Sequence, residues 1–253
     1  MRLRVLGCAG GSAPGHELSC YLIDDVLAVD AGALTTTLDF KAQRAVQDVL
    51  LTHGHLDHVW TLPLFLANRF GGDAVRCRLY GSSYTLETVR QHLFNDRVWP
   101  DFTDSVRESV PLVQFIPLDP GDTAPVLGYE VTSSSLVHAV PCQAYRIRRD
   151  GKSLIVCGDT YATDSLWSFV NETKDLAAVL IECSFPSRYE WLAKASLHLT
   201  PKLLARELLK MRPKVPVLVT HIKPEDRADV VAELAKIGDP RIRVLVQGET
   251  IEL

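Results

Sequence analysis

The sequence predicts an α/β fold in which two β-sheets pack face to face and helices cover their outer surfaces. Short apolar runs of strand length, bounded by glycine, proline and aspartate, recur along the whole chain. In both halves these strands are followed by segments with helical spacing, which favours helices packed outside the sheets. The 253 residues, 47% of them hydrophobic, are enough for one large domain or two small ones with a developed core.

The first third of the chain has the pattern of short strands joined by tight turns. The glycine-rich stretch GCAGGSAPG separates the first two strands, and one helix is predicted where leucine and alanine recur at helical spacing. The predicted strands are 2–6, 20–23, 26–30 and 48–52, and the predicted helix is 34–47.

The remainder mixes strands and helices and then alternates them. Pro63 is expected to start or interrupt a helix within 58–70, and Asp150-Gly151 is expected to be the two-residue turn of a hairpin over 143–159. Pro224 lies where the first turn of a helix tolerates proline. The other predicted strands are 76–81, 113–118, 128–134, 177–183, 215–222 and 241–247, and the other predicted helices are 84–94, 201–211 and 224–237.

Charge and composition restrict the classes of partner. The net charge of −4 and the pI of about 6.1 disfavour a nucleic-acid platform, which would carry a concentrated basic face. The longest apolar stretches are too short to span a membrane, and no secretory signal is visible. We therefore expect a cytoplasmic location, with the six cysteines present as thiols in a reducing environment.

Metal-binding side chains are concentrated at the ends of predicted strands. The stretch LTHGHLDHV (51–59) follows a buried strand and contains three of the eight histidines together with one aspartate. His138, Asp159 and His221 each end another predicted strand. Imidazole and carboxylate are ligands for zinc and similar divalent ions. Taken singly, His138 or His221 would be an ordinary strand-end residue and Asp159 a helix cap. Together, five histidines and two aspartates suffice for two metal ions.

These motifs resemble the metallo-β-lactamase superfamily. THGHLDH matches its HxHxDH signature. VDAG (29–32) before it, and His138, GDT (158–160) and His221 after it, fall in the expected order. The resemblance covers nearly the whole chain and implies one domain over 1–253 with a four-layer αββα sandwich. It also implies metal ligands at seven positions and an orienting role for Asp30. In this pattern one ion is held by His53, His55 and His138, the other by Asp57, His58 and His221, and Asp159 bridges the two.

A second pair of motifs narrows the resemblance. ECSFP (182–186) and LHLTP (197–201) resemble class II 3′,5′-cyclic-nucleotide phosphodiesterases and, more distantly, the tRNase Z group. The resemblance implies that His198 contacts the phosphate or assists the leaving group, and that Asp57 is catalytic as well as a ligand. Glu182 is interpreted as a supporting carboxylate. Thr61, in place of glycine, and Ala9, within the glycine-rich opening, depart from the family pattern.

The predicted activity is hydrolysis of a 3′,5′-cyclic nucleotide, cAMP or cGMP, to the 5′-monophosphate by a hydroxide that bridges two metal ions. Zinc is favoured, with manganese or iron as alternatives. The expected partner is a small nucleotide or other phosphodiester, without a membrane, and a homodimer is the default assembly. Three alternatives stay open: a tRNase Z-like 3′-processing endoribonuclease, a hydrolase of a small ester, thioester or lactone, and a non-catalytic metal-binding protein.

Overall fold

The computed structural model describes residues 1–69, 76–103 and 112–253 of the chain. Within these ranges the strands form two mixed sheets of seven strands each. In chain order they are β1 (Arg2–Gly7), β2 (Cys20–Ile23), β3 (Leu27–Val29), β4 (Asp48–Leu50), β5 (Cys77–Gly81), β6 (Val113–Pro117), β7 (Thr123–Val126), β8 (Tyr129–Leu136), β9 (Cys142–Arg149), β10 (Lys152–Cys157), β11 (Leu176–Glu182), β12 (Val217–Thr220), β13 (Ile242–Val244) and β14 (Thr250–Glu252).

The helices are short and lie on the outer sides of the sheets. They are α1 (Leu34–Thr37), α2 (Phe40–Ala45), α3 (Leu56–Val59), α4 (Leu62–Ala67), α5 (Ser83–His92), α6 (Asp164–Glu172), α7 (Glu190–Ser196), α8 (Pro201–Glu207) and α9 (Arg227–Ile237). Three 3₁₀ turns cover Ser187–Tyr189, Leu208–Lys210 and Pro224–Asp226. Among the helices of the described ranges, none has both the length and the apolar character needed to cross a membrane.

The order of the strands gives each half of the chain its own sheet, except for the last strand. The first sheet runs β14-β1-β2-β3-β4-β5-β6, and the second runs β13-β12-β11-β10-β9-β8-β7. Strands β3 to β6 are parallel to one another, as are β10 to β13. Because the carboxyl ends of parallel strands meet at one edge, the loops that follow them gather there.

Three apolar clusters fill the spaces between the layers. The first lies between the sheets and includes Val29, Leu50 and Leu180. The second packs the first sheet against helices α1, α4 and α5, and the third packs the second sheet against α6, α8 and α9. Two sheets with a helical layer on each outer side form the four-layer arrangement that the sequence predicts.

The single helix predicted over 34–47 is wrong in one respect. Leu38 has extended backbone, and Asp39 caps a new helix by accepting a hydrogen bond from the Ala42 amide at 2.8 Å, so α1 and α2 are separate. Likewise the 58–70 segment is divided between α3 and α4, with Pro63 at the start of α4, and its predicted end at Phe70 lies outside the described residues. The predicted hairpin turn is confirmed, because Asp150 and Gly151 both have positive φ, as a type I′ turn requires.

Candidate active site

The predicted ligand residues meet at one edge of the sandwich. Each lies just after the carboxyl end of a strand: the 53–58 stretch follows β4, His138 follows β8, Asp159 follows β10 and His221 follows β12. Antiparallel pairing of β9 with both neighbours gives β8 the same direction as β10, so all four loops open on the same side. The topology of the two sheets thus brings together residues that are up to 168 positions apart.

Two groups of side chains are arranged so that each could hold a metal ion. One group contains His53, His55, His138 and Asp159, and the other contains Asp57, His58 and His221. Within each group one ligand atom from every residue lies within 4.8 Å of the others. This division of the residues is the one that the sequence resemblance implies.

Asp159 lies between the two groups. Its Oδ2 atom is 3.7 Å from His53 Nε2 and 3.8 Å from His138 Nε2 in the first group. The same carboxylate is 3.4 Å from the Nε2 atoms of both His58 and His221 in the second group. Asp159 is also 2% exposed, so this shared position is shielded from bulk water.

Asp30 orients two histidines of the cluster. It follows β3 with φ of +59° and is buried. Its Oδ2 accepts a hydrogen bond from His58 Nδ1 at 2.7 Å. It also accepts hydrogen bonds from the Thr52 hydroxyl, so that hydroxyl has a lone pair free to accept from His53 Nδ1 at 3.1 Å. Because Nδ1 carries the proton in both rings, both Nε2 atoms can face the cluster as unprotonated ligands.

Glu182 makes a matching set of contacts in the second sheet. Its Oε1 accepts a hydrogen bond from His198 Nδ1 at 2.7 Å, and its Oε2 accepts one from the Ser184 hydroxyl at 2.6 Å. Ser184 Oγ in turn accepts from His221 Nδ1 at 3.0 Å. The backbone amides of Thr160 and Leu199 also donate to this carboxylate, which fixes it beneath the cluster.

His198 packs between residues of the two candidate metal groups. Its ring centroid is 5.0 Å from that of His138 and 5.4 Å from that of His221, with which it stacks. One of its nitrogens also lies within 4.8 Å of ligand atoms of Asp159 and His221. His198 is 7% exposed, so it lies at the inner wall of the site beside both groups.

Burial and the surrounding charges shift the pKa values of these groups. Burial lowers the pKa of His53 well below its usual value, with the neighbouring His58 adding to the effect. Burial alone would raise the pKa of Asp159, but the imidazoles of His221, His58 and His53 outweigh it and hold this pKa well below the usual range. Burial would lower the pKa of His198, and the Glu182 carboxylate outweighs burial and raises it.

The donor set fits divalent metal ions. His53 Nε2 is completely buried and makes no hydrogen bond, which would be costly for a polar atom without a ligand. His138 donates from Nδ1 to the Leu197 carbonyl at 3.1 Å, so its Nε2 is also left facing the cluster, 3.2 Å from His55 Nδ1. Imidazole nitrogens held in this way by second contacts are typical of zinc-type sites.

Unusual backbone conformations support the site. His221 and Leu197 both have φ of +57°, a region that residues other than glycine rarely occupy. Gly10 lies against His221, and a Cβ added at residue 10 would come within 2.4 Å of the His221 carbonyl oxygen. The glycine-rich opening is therefore needed for the close approach of the first loop to His221.

Comparison with known proteins places this arrangement in a family. Residues 29–252 match the family model described as cAMP phosphodiesterases class-II. The chain belongs to the class-II cAMP phosphodiesterases. It is 26% identical over 266 residues to 3′,5′-cyclic-nucleotide phosphodiesterase 1 of Saccharomyces cerevisiae, an alignment that covers 87% of this chain and 71% of the relative. The prediction of an enzyme of this metal-dependent hydrolase family is confirmed.

Solved structures agree on the fold. Unliganded yeast PDE1 superimposes with a TM-score of 0.83 at 21% identity, covering 100% of this chain and 99% of that one. The short form of human tRNase Z superimposes with a TM-score of 0.72 at 15% identity, covering 100% and 99% of the two chains. The metallo-β-lactamase fold protein YhfI of Bacillus subtilis superimposes with a TM-score of 0.80 at 18% identity, covering 99% of each chain. The metallo-β-lactamase fold predicted from the sequence is therefore confirmed for this member of the class-II cAMP phosphodiesterases.

Several supporting groups of this phosphodiesterase were missed by the sequence interpretation. Thr52 and Ser184 lie within the quoted motifs, but nothing in the sequence shows that each hydroxyl links a carboxylate to a histidine. The departure at Thr61 has a structural account, because its hydroxyl donates to the Ala31 carbonyl at 2.6 Å and accepts from the Leu34 amide at 2.9 Å. Thr61 thereby ties the loop after Asp30 to the helices that follow the histidine motif.

Proposed function

We propose that this protein hydrolyses 3′,5′-cyclic nucleotides, cAMP or cGMP, to 5′-monophosphates at a centre of two divalent metal ions. The observation that carries the proposal is the position of Asp159 between the two groups of ligands, with His198 packed beside both. Membership of the class-II family supports the choice of a cyclic nucleotide over another ester.

In this proposal His53, His55 and His138 hold one ion, Asp57, His58 and His221 hold the other, and Asp159 is shared. Zinc is the favoured metal on the chemistry of the donors, with manganese or iron as alternatives. The bound ions would supply activation of water near neutral pH and polarisation of a phosphoryl oxygen. Asp57, half-buried and 3.3 Å from His221 Nε2, is proposed as catalytic as well as a ligand.

His198 is proposed to act on the substrate as a general acid or as a charge donor. The Glu182 carboxylate binds its Nδ1–H and raises its pKa, so the protonated ring is favoured and Nε2–H is available to the substrate. A proton delivered to the departing 3′-oxygen of the ribose would complete the cleavage. Fixed by Glu182 and flanked by His138 and His221, the ring needs little reorganisation to reach a phosphate held at the cluster.

The deciding experiment measures turnover of cAMP and cGMP by purified protein loaded separately with zinc, manganese or iron. We expect 5′-AMP or 5′-GMP as the only product, identified by chromatography against the 3′-isomers. Absence of turnover with all three metals would overturn the proposal. Cleavage of a precursor tRNA at its 3′ end instead would favour the tRNase Z-like alternative, and turnover of a thioester or lactone would favour the third class of hydrolase.

We propose that residues 1–253 form a single domain. We also propose that the enzyme is located in the cytoplasm and acts on small nucleotides. A two-fold homodimer is the proposed assembly, which light scattering of the purified chain would test.

A further inference from the structure

A cavity of about 790 Å³ opens beside the candidate active site. Its lining includes Phe185, which contacts His198, and Lys223, which follows His221 by two positions in the chain. The Phe185 ring lies edge-on to His198 with centroids 5.8 Å apart. The cavity volume is within the range of sites that bind small molecules. A molecule held at the cluster would therefore have room to extend into this cavity.

Lys223 marks the boundary between the cluster and the cavity. Its ammonium group donates to the Gly10 carbonyl and lies 5.8 Å from the centre of the Phe185 ring. Its backbone amide donates to the Ser184 carbonyl at 3.1 Å, so the segment is fixed to the strand end that supports His198 and His221. A positive charge at this position favours an anionic group on the cluster side of the boundary.

The rest of the cavity lining combines aromatic and apolar side chains with charged ones, among them Arg188 and Glu225. Tyr189 lines it from the first of the 3₁₀ turns, Leu192 from α7 and Pro224 from the turn before α9. The Arg188 guanidinium lies 4.6 Å from the centre of the Tyr189 ring and is held by Asp226 and Asp229. The Arg188 guanidinium, paired with two carboxylates, thus lies over one face of the Tyr189 ring, and the two groups form one flat surface.

We propose that this cavity is the nucleoside subsite and that Tyr189 is its base-stacking residue. The inference rests on the proposed function, since it assumes that a nucleotide phosphate binds at the cluster. With the phosphate on the cluster side of Lys223, the ribose passes Phe185 and the neutral base enters the aromatic part of the cavity. Proteins commonly bind a base by stacking it on an aromatic ring, without hydrogen bonds that distinguish one base from another.

The test compares the binding of adenosine 5′-monophosphate and ribose 5-phosphate to metal-loaded protein by titration calorimetry. The two ligands share the phosphate and ribose, so the ratio of their affinities reports on the base alone. We expect AMP to bind more tightly to the wild type. In the Tyr189→Ala variant we expect the ratio of AMP affinity to ribose 5-phosphate affinity to fall by about 5- to 150-fold, which is the range for one stacked base.

Two further variants keep the test independent of folding. Tyr189→Phe retains the ring and should retain the ratio, whereas Tyr189→Leu retains bulk without an aromatic face and should lose it. Trp191→Ala is the matched control, because Trp191 is an exposed aromatic residue two positions further along, in α7, and is not among the residues that line the cavity. It should bind both ligands as the wild type does.

Equal affinities for the two ligands in the wild type, or no binding of either, would overturn the subsite. So would a ratio that survives in both Tyr189→Ala and Tyr189→Leu. Failure of the proposed function has a different signature: AMP would bind with a base-dependent ratio that Tyr189 controls, while cAMP and cGMP would not be hydrolysed.

Discussion

Asp30 in the N-terminal half and Glu182 in the C-terminal half orient histidines through the same pattern of hydrogen bonds. The histidines that they orient occupy different positions relative to Asp159. Each carboxylate accepts one imidazole Nδ1–H directly at 2.7 Å and supports a second imidazole through a hydroxyl. Both histidines supported by Asp30 turn Nε2 toward Asp159. Of those supported by Glu182, His221 does so and His198 packs beside the cluster. The same local arrangement thus orients two of the proposed metal ligands in one half and, in the other, one proposed ligand and the residue proposed to act on the substrate.

The largest effect is expected at Asp159, on which both halves converge. Replacing it with alanine removes the shared carboxylate, so we expect metal content to fall below two ions per chain and cyclic-nucleotide turnover to fall by more than ~10³-fold. Plasma emission spectroscopy and steady-state kinetics measure these quantities. The control is Asp164→Ala, five positions further along at an exposed site. Full metal content in Asp159→Ala would refute the bridging role.

The next effect distinguishes His198 from the proposed metal ligands. We expect His198→Ala to lower kcat by about 10²- to 10⁴-fold, the contribution of a general acid, with two metal ions still bound. His92→Ala, at an exposed histidine at the end of α5, is the control and should change neither quantity. Loss of metal in His198→Ala would instead make His198 a ligand, as its nearness to Asp159 and His221 allows.

A paired substitution tests the two carboxylates directly. Asp30→Asn places an amide where His58 needs an acceptor, so we expect metal affinity to fall by about 10- to 100-fold. Glu182→Gln should lower kcat as His198→Ala does and weaken only the ion held by His221. Competition with a chromophoric chelator gives the affinity of each ion separately. Equal weakening of both ions in both variants would remove the distinction between the halves.

The residues of the two candidate metal groups could be predicted from the sequence to lie at one sheet edge, because their positions depend on local features. A histidine or aspartate at the end of an apolar run indicates a possible metal donor. The same run predicts a strand, and so places that donor at the edge of the sheet, as at His138 and His221. The supporting contacts depend on distant pairings: Ser184 supports His221 only because β11 and β12 are neighbours in the sheet. The short strand β14 was missed for the same reason, since its pairing with β1 spans the whole chain.

The smallest effect concerns a carboxylate that holds no histidine. Asp24, in the turn between β2 and β3, accepts hydrogen bonds from the Tyr129 hydroxyl, from Arg149 Nη2 at 2.7 Å and from the Arg2 amide at 2.7 Å. Tyr129 and Arg149 belong to the second sheet, so Asp24 ties the two sheets together. We expect Asp24→Asn to lower the free energy of unfolding by about 1–2 kcal/mol at pH 7 without changing metal affinity, the size of a partly exposed charged hydrogen bond.

The pH dependence of the stability lost in Asp24→Asn follows from the direction in which folding shifts the pKa of Asp24. Burial raises the pKa of Asp24, but the Tyr129 hydroxyl, the Arg2 amide and the Arg149 charge outweigh it and lower this pKa. Its stabilisation is therefore present above the unfolded pKa near 3.9 and lost as pH falls through the lower folded value. Urea unfolding of metal-free protein should show the difference between wild type and Asp24→Asn shrinking in that acid range, while Asp150→Asn, at the exposed hairpin turn, should show little difference at any pH. If the difference in free energy of unfolding stayed constant into acid, Asp24 would connect the sheets through its shape and not through its charge. Asp30 and Glu182 differ from it in this respect, because they act through the protons that they hold on imidazole nitrogens.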